Sequence, residues 1–120
     1  MNQSCFFYRR DGLLRRINCA DILFLEASDN YTRIHTEKGV HTVRATFKSV
    51  LEKLEEKGIV QIHRSHAILV DRLDTITGEQ VILAGEKEVE VPFNRKYLPQ
   101  LAKHLEIIGP PLDLEDEAES

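Results

Sequence analysis

Short runs with alternating or β-branched apolar residues recur every eight to twelve positions along the chain, a period that predicts a mostly β fold. Residues 5–9 and 13–17 flank Asp11-Gly12, a hairpin signal because glycine supplies the positive φ of a tight turn. Residues 22–26, ILFLE, form a nearly unbroken apolar run and predict a central, buried strand. Residues 27–30 (ASDN) read as a loop. Residues 31–36 and 41–45 then form a second hairpin. Placing Ile34 opposite Val43 on one face gives a four-residue turn over 37–40, with Thr36 opposite His41 and His35 opposite Thr42. In that register the side chains of His35 and His41 leave opposite faces.

One segment departs from the period of two. Phe47, Val50, Leu51 and Leu54 stand at i, i+3, i+4 and i+7, which predicts an amphipathic helix of about three turns. Thr46 is suited to cap its start and Gly58 to stop it. Strand-like runs return at 59–63, 66–70 and 75–77, and a last hairpin joins 81–83 to Val89 and Val91 through 84–86. Tyr97, Leu98, Leu101 and Leu105 suggest a closing helix. Pro99 forces its first turn to be distorted or to form a separate 3₁₀ turn. The expected body is residues 1–105, followed by an acidic flexible tail over 106–120, where Gly109-Pro110-Pro111 breaks any helix.

Composition narrows the class. At 120 residues the chain is one domain long, with 42% apolar and 30% charged residues, as in globular proteins. No apolar run reaches the roughly 18 residues of a membrane span, and the start lacks a signal-peptide layout. Cys5 and Cys19 are too few for a disulfide scaffold. As free thiols they fit a cytoplasmic location, and a single bridge stays open on spacing alone. The net charge of −4 hides a split: residues 1–104 hold sixteen Lys and Arg against fourteen Asp and Glu, a net +2. Residues 106–120 hold six acids and no base, a net −6, so the overall charge does not argue against a polyanionic partner.

Catalytic patterns are missing from the sequence. His63 and His66 are three apart, an odd spacing that separates them on a continuous strand unless a bulge intervenes, so metal binding there is disfavoured. Asp71 and Asp74 share that spacing. Ser65 lacks a nucleophile elbow, and neither a Walker loop nor a dinucleotide fingerprint occurs. No enzyme activity, cofactor, metal or small-molecule substrate is expected. Bases instead cluster at predicted turns: Arg64 between two strands, Arg95 and Lys96 before the closing helix, Arg33 and Arg44 on the second hairpin, with Asn30 and Thr32 beside them. A single surface arginine is usually just solvated. As a set, guanidinium forks with amide and hydroxyl groups suit base edges and phosphates.

These segments carry a resemblance. Residues 22–27 with Asp29-Asn30-Tyr31, Ile34-His35-Thr36, the 47–54 helix, residues 62–66 (IHRSH) and residues 91–97 (VPFNRKY) resemble the LytTR domain, the DNA-binding module of a class of bacterial response regulators. They follow that family's order over about residues 6–105. The resemblance implies an elongated, mostly antiparallel β-sheet domain that places loop residues in successive grooves of double-stranded DNA, and binding of paired half-sites by two copies. It implies contacts from Thr32, Arg64 and Arg95, while His63 supports Arg64 structurally. Two positions depart from the family pattern: Leu69 where Asn is usual, and Asn94 where Ser is common, the latter still a competent helix cap. Relatives usually carry a receiver or sensor domain ahead of this one, so the chain reads as a stand-alone transcriptional regulator or as a piece of a longer one. The alternative is a protein-interaction module of the same fold that has lost DNA binding.

Overall fold

The structure, a computed structural model, describes residues 5–110. The outer acids of the tail, Asp113, Glu115, Asp116, Glu117 and Glu119, lie outside the described residues, as do residues 1–4. Among the described residues, ten strands form three antiparallel sheets. The first hairpin, β1 (Cys5–Arg10) and β2 (Leu13–Asn18), is a two-stranded ribbon. Its turn places Asp11 and Gly12 at φ 52° and 77°, the pair of positive values that matches the twist of the flanking strands.

The central sheet has five strands in the order β5-β4-β3-β7-β6. These are β3 (Ile22–Ser28), β4 (Tyr31–Thr36), β5 (Gly39–Val43), β6 (Ile59–His63) and β7 (His66–Leu69). The unbroken apolar run of β3 has a physical reason, because both faces of this sheet are covered. Ile22, Leu25, Ile34, Ile59, Ala67 and Leu69 pack on one face with Tyr8 and Ile17 of the ribbon and with Val50 and Leu54 of helix α1 (Phe47–Leu54). Leu23, Val60, Ile62 and Ile68 pack on the other with Val81, Leu83, Val91, Phe93 and Leu101. That second layer is the three-stranded sheet of β8 (Leu73–Ile76), β9 (Gln80–Leu83) and β10 (Val89–Pro92), together with the short helix α2 (Leu98–Ala102). Phe24 is only half-buried, stacked on the His35 ring at 4.1 Å, so the strand is buried but not at every position.

Local signals hold where local chemistry decides. The Thr46 hydroxyl accepts from Ser49 N–H and caps α1, which is shorter than expected and passes into a 3₁₀ turn. Gly58, at φ 88°, ends it. A separate 3₁₀ turn, Arg95–Tyr97, precedes α2, as Pro99 requires.

The register of β4 and β5 differs from the expected one. Ile34 pairs with His41 and Thr32 with Val43, and only Glu37 and Lys38 remain in the turn. The shift is two residues, so Ile34 and Val43 keep a common face and the two histidines still diverge. Two contacts fix it: His41 lies 2.9 Å from the Tyr8 hydroxyl, and Thr36 Oγ1 donates to the Gly39 carbonyl while accepting from Lys38 N–H.

The segment 106–110 is exposed and carries no helix or strand. No helix of the described residues is long and apolar enough to cross a membrane. Cys5 and Cys19 are both free thiols, and burial pushes the Cys19 thiol above its ordinary value.

Candidate nucleic-acid interface

Three turns converge at one end of the central sheet. β3 and β4 meet at Asp29-Asn30, where Asp29 adopts φ 55°, a conformation Asp tolerates better than most residues. Ala27 N–H, just before that turn, donates to the Ser65 carbonyl at 2.9 Å, which sets the Arg64-Ser65 turn beside it. Asn94 N–H donates to the Ile62 carbonyl at 2.9 Å, which docks the Arg95–Tyr97 turn on β6 two residues before Arg64. Asn94 caps that turn by accepting from Lys96 N–H. Arg44 leaves β5 at the same end, just after the Thr32–Val43 pair. Asn30, Arg44, Arg64, Arg95 and Lys96 are all exposed and lie at this end of the sheet.

Thr32 does not join them. Its side chain is fully buried, and its hydroxyl donates to the Ala45 carbonyl at 2.9 Å. In this conformation the Thr32 side chain presents no surface for the contact expected of it. The sequence held the signal: Thr32 is two residues from Ile34, so it shares Ile34's core-facing side.

A buried-edge polar network stiffens the Arg64 turn. His63 and His66 are not on one strand but face each other across the hairpin, with ring centroids 5.3 Å apart. Ser65 N–H donates to His63 Nδ1 at 3.2 Å, and Ser65 Oγ lies 3.0 Å from His66 Nδ1. The same Ser65 Oγ lies 3.1 Å from His63 Nδ1, and His66 Nε2 faces Glu26 at 3.9 Å. His35 Nε2 bonds the other Glu26 oxygen at 3.0 Å, and Arg33 approaches that oxygen at 3.9 Å. Burial holds the His66 pKa below its ordinary value; Glu26 opposes this, and His63 and His35 add to it. A neutral His66 is therefore the form the fold favours. Sequence reading missed Glu26 here, although it is the one acid in the apolar ILFLE run. Among the described residues no group of three or more His, Cys, Asp and Glu is arranged to hold a metal ion.

The arrangement presents exposed guanidinium, ammonium and amide groups at the end of the sheet, groups suited to a polyanion. The family model of the LytTr DNA-binding domain matches residues 13–106. The chain belongs to the LytTr DNA-binding domain family. This LytTr domain is also similar in structure to the LytTr DNA-binding domain of a methyl-accepting/DNA response regulator from Bacillus cereus. The TM-score is 0.67 at 18% identity, covering 85% of this chain and 96% of that one. That likeness bears on the fold, and it agrees with the mostly β, antiparallel architecture. No curated protein matches the chain in sequence at a significant level.

Proposed function

We propose that this LytTr domain is a sequence-specific transcriptional regulator that reads double-stranded DNA with the turns at one end of its central sheet. Arg64 and Arg95 read base edges, since a guanidinium fork pairs bidentately with guanine O6 and N7. Asn30, Lys96 and Arg44 contact the backbone or neighbouring edges, and Thr32 positions the turn from inside. The observation that carries this reading is the pair of backbone hydrogen bonds, Ala27 to Ser65 and Asn94 to Ile62, that joins three separate turns into one surface. Two copies on paired half-sites fit a single recognition surface per chain, with half-sites about one helical turn apart.

Selection of bound duplexes from a random pool gives the site and the half-site spacing. On that site Arg64→Ala and Arg95→Ala should each cost about 1–3 kcal/mol and relax preference at one or two positions. Equal losses on selected and random DNA would remove the base-reading role. A wild-type chain that enriches no sequence and binds no duplex would favour the protein-interaction alternative.

A further inference from the structure

The β1–β2 ribbon carries cations that the turn surface does not use. Arg9 and Arg10 end β1, and Arg15 pairs with Tyr8 across the ribbon. Successive strand residues point to opposite faces, so Arg9 and Arg10 present charge on both sides of the ribbon tip. The tip lies along the β5 edge of the central sheet. There Arg9, Arg10 and Asp11 line a groove of about 350 Å³ with Tyr31, Thr42 and Arg44. Arg10 also lines the adjoining groove, of about 440 Å³, with Arg15, Lys38, Tyr8 and His41. Arg10 and Asp11 line both grooves and make the two one continuous strip, and Arg44 joins that strip to the turn surface.

The strip is poorly neutralised. Among the described residues Arg10 approaches only Asp11, at 3.7 Å with the Asp11 side chain 87% exposed, and Lys38 approaches Asp21 at 3.5 Å. Such exposed pairs are weak and screened. Arg9, Arg15 and Arg44 make no ion pair among the described residues. His41 reports the resulting field: its pKa is held down by burial first, then by Arg15 and Arg10.

We propose that the β1–β2 ribbon is a backbone clamp: Arg9, Arg10 and Arg15, with Arg44, grip DNA phosphates beside the groove that Arg64 and Arg95 enter. The proposal rests on the DNA-reading function above and extends its footprint. Arg9 and Arg10 precede the residues matched by the family model, so membership in the family does not imply this contact. The scale is right. From β5, which ends beside Arg44, to the β6–β7 turn that carries Arg64 is three to four strand spacings, roughly 14–19 Å. A major groove is about 12 Å wide. With Arg64 in the groove, the β5 edge and the ribbon fall on the flanking backbone.

The test compares the wild type with Arg9→Gln/Arg10→Gln and with Arg15→Gln, measuring affinity for the selected duplex and for a random duplex over a range of salt. Removing one arginine that grips a phosphate should lower the salt slope by about 0.9. The double variant should therefore lose close to two from its slope, and bind both duplexes at least about tenfold more weakly at moderate salt. Its sequence preference and melting temperature should stay unchanged. Arg15→Gln should lose about one from the slope on both duplexes. An unchanged slope, or a loss confined to the selected duplex, overturns the clamp while leaving the reading of Arg64 and Arg95 intact. A wild type that binds no duplex overturns both.

Discussion

The Thr32 hydroxyl donates to the Ala45 carbonyl at 2.9 Å, tying the start of β4 to the residue that leads into helix α1. The bond anchors the segment from which Arg44 projects. Thr32→Val keeps the shape and removes the donor, leaving the half-buried Ala45 carbonyl without this partner. Such a loss costs about 1–3 kcal/mol. We expect chemical denaturation to show that loss, while the folded variant keeps its sequence preference. A variant of unchanged stability whose preference is altered would return Thr32 to the contact surface.

What could be read in the sequence was what local chemistry decides. Asp11-Gly12, Thr46 and Gly58 each set the conformation of their own neighbourhood, and each occupies the turn, cap or stop that its residue type suggests. The apolar run of β3 announced a strand covered on both sides. The register of β5 was not legible, because Tyr8, thirty-three residues away in sequence, meets His41 and selects one of two face-preserving alignments. The encounter of His63 with His66 was hidden for a related reason. Their spacing excludes a shared face only if the strand is continuous, and here it folds back at Arg64-Ser65. At the candidate site, the positions of Asn30, Arg44, Arg64, Arg95 and Lys96 followed from turn placement. Their convergence depends on the non-local bonds at Ser65 and Ile62.

Three substitutions separate the side chains that hold the fold from the one proposed to read DNA. Leu25 is fully buried in the first core and pairs with Ile34 on β4. Leu25→Ala should destabilise the domain by about 2–5 kcal/mol. Phe24, half-buried against His35, should cost less when shortened to alanine. Arg64→Ala, exposed at its turn, should leave the melting temperature within a few degrees. The check is denaturant unfolding of all three variants beside DNA binding at a temperature where each is folded. A large stability loss in Arg64→Ala would make that arginine a structural residue.

His66 and His41 give the fold a definite response to acid. Both have native pKa values pushed below 6.5, and burial is the largest cause for each. His41 is also opposed by Arg15 and Arg10. His66 faces Glu26, which partly offsets the push, and His63 and His35, which add to it. Above about pH 7.5 both rings are largely neutral in the folded and unfolded chain and contribute little pH dependence. As the pH falls through 6.5, the unfolded chain takes up protons first, so stability declines, and the loss levels off once the native rings protonate as well. The melting temperature should therefore fall between about pH 7.5 and about pH 5.5, with a smaller fall in His41→Gln/His66→Gln. Carboxylates contribute equally to both proteins in that window, so the difference between the two profiles isolates the imidazoles. Parallel profiles would show that neither ring is held neutral by the fold.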